Sequence, residues 1–234
     1  MTNESGVLAN VEPRARRTWW PSASTCAFLA SGLEILWFAL SLFVRSRVVE
    51  SAVRTFLGLT GWATTALMVV FVVWMLLFSA AVRATALWAI GRRQRAVAPV
   101  TARLGQWAVA AYVVVTVPVF VLIVLMSFGG FGVWPTVSAH AAQLLAQDKW
   151  VFQVALFPMT MALACLGLAS LGSASPWQRW ASGGMLLVAI FGVFNVTTTL
   201  FGFPVASQGL WLGSLDVALR AAMWAAVGAL LRSV

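Results

Sequence analysis

Charged residues make up only 9% of this 234-residue chain, and 62% of it is hydrophobic, with a mean hydropathy of +0.93. An average soluble domain is about 25% charged. A chain this poor in charge cannot cover a soluble surface, so the composition indicates a protein that lives in lipid. Histidine is nearly absent: His140 stands alone, so ligation by paired histidines, a three-histidine zinc centre and a Ser-His relay all lack parts. The two cysteines, Cys26 and Cys165, fall within hydrophobic segments without CxxC spacing or a neighbouring histidine, and read as small buried apolar residues. No metal and no cofactor are expected. An ATP-binding motif is also missing, so any primary pumping would need a partner. The chain lacks the internal repeat that marks many transporters. Acidic residues number six against fifteen basic ones, giving a net charge of +9 and an isoelectric point near 11.6. That excess does not indicate nucleic acid, because most of the arginines flank hydrophobic segments rather than forming a patch interleaved with polar and aromatic residues.

What is present is a series of apolar stretches long enough to cross a bilayer, which takes ~20 residues each. Residues 1–24 read as a cytoplasmic tail ending in Arg14, Arg16, Arg17, Trp19 and Trp20, an interfacial anchor. No signal-peptide cleavage site is evident before Arg45, so the first apolar segment is expected to stay. Residues 25–231 read as a single polytopic membrane domain, an all-α bundle of six transmembrane helices over about 25–44, 61–83, 104–128, 150–171, 181–203 and 210–231. Arg83 is expected to snorkel from the inner end of the second span. Pro118 is expected to kink the third. A short interfacial helix is expected in the outer loop between the third and fourth, begun by Thr136 after Pro135, with His140, Gln143 and Gln147 on its polar side. Gly183, Gly184 and Gly192 are expected to allow close helix contact in the fifth.

Orientation follows from the basic residues. With the N-terminus inside, ten fall on the inner side, densest at Arg92, Arg93, Arg95 and Arg103, against four outside, Arg45, Arg47, Arg54 and Lys149. This places both termini in the cytoplasm of a bacterial inner membrane.

The candidate site comes from charge in the wrong place. Asp216 and Arg220 lie near the middle of the last span, one helical turn apart and so on one face. Glu34 occupies the matching depth of the first span, on a stripe with Ser31 and Ser41. An ionisable group at a span's centre costs at least roughly 2.5–3.5 kcal/mol on insertion scales. One arginine, Arg220, is therefore expected to face two carboxylates in a polar pocket between the first, fifth and sixth spans. Asn195, Ser31 and Gln153 are the further candidate ligand contacts. Two roles stay open for the three charges: a buried ionic clasp joining the first helix to the last, or a binding site in which Glu34 or Asp216 titrates.

The segment SGLEILWFAL, taken with Asp216, resembles at those two positions the small integral-membrane terpene cyclases, in which two acids on different helices start cyclisation by protonation. That resemblance implies Glu34 and Asp216 as catalytic acid and base on a prenylated substrate. Leu33 stands where that family typically has tryptophan and the family usually has an additional span, so the chain is not assigned to it. The leading expectation is binding or transport of a small solute, ion or amphipathic molecule. An intramembrane enzyme acting on a lipid or isoprenoid and a structural subunit of a membrane complex remain the alternatives. The partners expected are the lipid bilayer, a small hydrophobic or ionic ligand and another membrane protein.

Overall fold

Ser22 starts the first helix. Its Oγ accepts a hydrogen bond from the Thr25 amide at 3.2 Å, and its carbonyl accepts the first helical bond from the Cys26 amide at 2.8 Å. This N-cap geometry satisfies donors that the helix leaves without partners, and it sets the helix start at Ala23. The computed structural model describes residues 21–45, 61–128, 136, 139, 149–171, 176–200 and 210–233. Among them are six helices and no strand: α1 (Ala23–Arg45), α2 (Gly61–Gln94), α3 (Pro99–Phe128), α4 (Lys149–Ser170), α5 (Pro176–Leu200) and α6 (Leu210–Arg232). The expected N-terminal tail and the interfacial helix with His140 lie essentially outside the described residues.

Three helix ends differ by several residues from the sequence expectation: the end of α2 and the starts of α3 and α5, the last lying at Pro176 rather than at about 181. Helix α2 does not stop at Arg83 but continues to Gln94, because residues 84–94 are mostly good helix formers and Leu87 and Ile90 are buried. Helix α3 starts earlier than expected, at Pro99, where a fixed φ suits the first helical position and no helical donor is lost. Between them the chain turns tightly, with the amides of Val97 and Ala98 both donating to the Gln94 carbonyl at 3.1 and 2.8 Å. Helix α3 remains helical through Pro118, and α4 through Pro158.

Gln106 fastens this hairpin. It is fully buried, donates from Nε2 to the Trp88 carbonyl at 3.3 Å, and accepts from Arg95 Nε at 2.7 Å. The side chain lies directly over Gly91, where an added Cβ would come within 2.5 Å of Gln106 Cγ.

The helices close in chain order. Each packs on the next, α6 returns to α1, and α2 additionally touches α4 and α6. Polar contacts define which ends meet. Arg93 Nη1 and Nη2 donate to the Leu230 and Leu231 carbonyls at 3.1 and 3.0 Å, so the C-terminal ends of α2 and α6 lie together. A cation placed there satisfies terminal carbonyls and complements the negative end of the helix dipole. Ser182 Oγ donates to the Gly167 carbonyl at 2.8 Å, joining the start of α5 to the end of α4. Gly105, near the start of α3, lies against Leu166 and Cys165 of α4. Trp224, Leu87, Ile90, Leu166, Met185 and Met223 fill the interior between these contacts. Cys26 belongs to this core, whereas Cys165 is half-buried.

The outer faces are apolar as well. Val114, Val117, Ile190, Val193 and Phe194 are all exposed, so α3 and α5 are hydrophobic around most of their circumference, the pattern of a helix with no aqueous face. Among the described residues, three stretches, Pro99–Val119, Pro176–Thr197 and Ser214–Arg232, are long and apolar enough to cross a membrane.

The three glycines expected to permit close helix contact divide. Gly184 abuts Met223 of α6 and Gly192 abuts Thr160 of α4, but Gly183 has nothing within 4 Å of a built Cβ. Its side of α5 faces away from the neighbouring helices. Gly183→Ala is accordingly expected to be neutral or to stabilise by up to about 1 kcal/mol through helix propensity. At Gly192 a Cβ would meet Thr160 Oγ1 at 2.6 Å, and alanine there is expected to cost roughly 1–3 kcal/mol by overpacking. Denaturation of the two variants in mixed micelles compares them directly.

Candidate functional site

Glu34 faces the interior of the bundle from α1, with its side chain only 8% exposed. Its partner is Arg83 of α2, whose Nη2 donates to Glu34 Oε1 at 2.6 Å. This overturns two sequence expectations together: Arg83 does not snorkel to the inner end of its helix, and the counter-charge of Glu34 is Arg83 rather than Arg220. The reason lies in the length of α2. The helix runs on through Ala84 to Gln94, which leaves Arg83 more than two turns inside the basic end at Arg92 and Arg93, too deep to reach that end cheaply and adjacent to a buried carboxylate.

The arginine is not saturated by that contact. Its Nε is buried without a hydrogen-bond partner among the described residues. Tyr112 of α3, the only tyrosine in the chain and itself buried, borders the guanidinium. Three helices thus converge on one side chain. An isolated buried donor of this kind costs about 1–3 kcal/mol when it goes unmet.

Arg220 is committed elsewhere. Its Nε donates to Asp216 Oδ1 at 3.0 Å, and Nη2 lies 2.8 Å from Oδ2, a bidentate pair within α6 whose side chains are 25% and 29% exposed. Residues one turn apart on a helix are neighbours already, and the two parallel contacts occupy both carboxylate oxygens. The expected single arginine between two carboxylates is therefore replaced by two separate pairs, one across helices and one within a helix.

The remaining candidates scatter. Ser31, one turn before Glu34, donates from Oγ to the Ala221 carbonyl at 2.8 Å and so ties α1 to α6 immediately beside Arg220. Asn195 is half-buried on α5 and already has an interaction partner. The side chains of Gln153 and Ser41 lie outside the described set. Helix α5 packs chiefly on α4 and α6, so the helix that meets α1 at the buried charge is α2. The buried charge of Glu34 is therefore met where α1 packs on α2, with Tyr112 of α3 beside Arg83, and not by a side chain of α5 or α6.

Sequence reasoning missed Arg83 and Tyr112 as site residues. A signal for the first was present: ATALWAIG separates Arg83 from Arg92, which makes Arg83 an interior charge and not a terminal one. Nothing local marks Tyr112 beyond its being the only tyrosine. Among the described residues no group of three histidine, cysteine or acidic side chains comes together as a metal site.

The chemistry available is a guanidinium and a carboxylate held in contact inside an apolar bundle, with arginine N–H groups left over. Such a site can offer donors to an acceptor group on a solute, or release the carboxylate to a competing cation. No known protein family, curated protein or solved structure matches this chain.

Proposed function

We propose that this chain is a six-span integral protein of a bacterial cytoplasmic membrane, with both termini in the cytoplasm, that binds and passes a small polar or ionic solute at the Glu34–Arg83 pair. The observation that carries the reading is the buried 2.6 Å contact between Glu34 and Arg83, with Arg83 Nε still lacking a partner among the described residues. A buried ion pair is a poor device for stability alone, because replacing it with apolar side chains is often neutral or better. An ionisable group inside a membrane bundle is accordingly read first as part of a ligand or ion path. Arg83 supplies donors for an acceptor group on the solute, and Glu34 is the side chain that must exchange partners when the solute arrives.

The enzymatic alternative has less in its favour. Acid-initiated cyclisation calls for two carboxylates acting on one substrate, whereas Glu34 and Asp216 are each engaged by a different guanidinium.

Proteoliposomes test the reading. Wild-type vesicles assayed against a panel of monovalent cations, protons, phosphate and small carboxylates are expected to pass at least one of them faster than empty vesicles, and Glu34→Gln is expected to slow that flux about tenfold, the effect of losing one charge-assisted contact. Flux no greater than in empty vesicles across the whole panel would sink the proposal. Topology is read separately in a Cys26→Ser/Cys165→Ser background. A cysteine at Val97 should be labelled only from the cytoplasmic side, and labelling from outside would reverse the orientation.

A further inference from the structure

We propose that the end of the bundle where α2 and α6 finish and α3 and α5 begin is a binding surface for anionic phospholipid headgroups, with Arg103 and Arg179 as its phosphate-contacting residues. The proposal rests on the membrane-spanning part of the functional reading above and not on the solute site.

Several contacts already place these ends together. Arg93 joins α2 to α6, the tight turn at residues 95–98 joins α2 to α3, and the end of α4 is fixed to the starts of α3 and α5 by the Gly105 and Ser182 contacts. Exposed arginines therefore collect on one rim: Arg92, Arg95, Arg103, Arg179 and Arg232. No described carboxylate is left to neutralise them, because Glu34 and Asp216 each hold an arginine of their own.

The apolar residues beside those arginines identify the kind of partner. Trp107 is 75% exposed and Trp180 72% exposed. Trp107 follows Arg103 by one helical turn and so shares its face, while Trp180 adjoins Arg179. Val100 and Leu104 are exposed on the same first turns of α3. Along α3 from the rim inward, Arg103, Trp107 and Val114 are exposed on one face, and this order of guanidinium, indole and aliphatic groups matches the phosphate, the glycerol and carbonyl level, and the upper acyl chain of a phospholipid. A nucleic-acid surface would instead surround its arginines with polar donors.

Native mass spectrometry and thermal melting of the detergent-purified protein, titrated with phosphatidylglycerol, phosphatidylcholine or inorganic phosphate, provide the test. Phosphatidylglycerol alone is expected to remain bound and to raise the melting temperature. The double variant Arg103→Gln/Arg179→Gln is expected to need roughly thirty-fold more of it for the same effect, since each arginine near an anionic surface is worth about a five-fold change. Equal stabilisation by phosphatidylcholine, reproduction of the effect by inorganic phosphate, competition by short duplex DNA, or an unchanged double variant would each overturn the proposal. Carbonate-resistant insertion into pure phosphatidylcholine vesicles is measured alongside. Insertion without a phosphatidylglycerol preference refutes the lipid site alone, whereas failure to insert refutes the spanning reading and the lipid site with it.

Discussion

Arg83→Met is expected to destabilise the protein by roughly 3–5 kcal/mol, because it leaves Glu34 as a buried charge with nothing to compensate it. The carboxylate cannot turn to water from the middle of α1, where its side chain is 8% exposed. Glu34→Gln alone should cost less, since a neutral amide can still accept a hydrogen bond from Arg83 and so keeps the guanidinium partnered. The informative variant is the double change Glu34→Gln/Arg83→Met. It removes both charges together and should recover most of the stability lost in Arg83→Met, as buried ion pairs replaced as a unit usually do. Unfolding in mixed micelles measures all three. If Arg83→Met were as stable as the wild type, or if the double variant were no better than the single one, the pair would not be the electrostatic unit described here. Arg220→Met provides the internal control. Its partner Asp216 lies within two turns of the Leu210 end of α6, close enough to the interface for a carboxylate to reach polar surroundings, so the loss there should be clearly smaller than at Arg83.

The second large effect is steric. Gly91→Ala is expected to cost roughly 1–3 kcal/mol, the range for overpacking a filled site. An alanine Cβ would sit 2.5 Å from Gln106 Cγ and 3.0 Å from its Cδ and Nε2. Relieving that contact means shifting Gln106, which disturbs its hydrogen bonds to the Trp88 carbonyl and from Arg95. The clash is specific to that side chain, which makes it testable by a double-mutant cycle. In a Gln106→Ala background the Gly91→Ala change should become nearly neutral or mildly favourable, since helical propensity then dominates. Equal cost in both backgrounds would mean that Gly91 is constrained by something other than Gln106.

Taken together, the two predictions separate kinds of information that the chain carries. That the protein is helical and rich in bilayer-length apolar stretches was legible from composition and run length alone, because a helix satisfies its own backbone within one segment and apolar runs need no knowledge of neighbours. The helix ends were legible for the last span, expected over 210–231 and found at Leu210–Arg232. They were misjudged where an apparently terminal charge, Arg83, proved to be internal. The intrahelical pair of Asp216 with Arg220 could also be read directly, since a spacing of four determines it.

The partner of Glu34 could not be read in the same way. Sequence position assigns a charge a depth in the membrane but not an azimuth around the bundle, and with Arg83 placed at the end of its span only Arg220 satisfied the depth condition. Choosing between them required knowing that α1 meets α2 at that level, that Arg220 is already closed onto Asp216, and that Tyr112 arrives from α3. The same holds for Gly183, which sits beside a contact glycine in sequence yet points away from every neighbouring helix. Hydrophobicity and period are local properties, so the sequence by itself determined the helices and their apolar character. Which faces meet depends on rotations and contacts between segments far apart in the chain, and only the tertiary structure decided that Arg83, and not Arg220, answers the buried charge of Glu34.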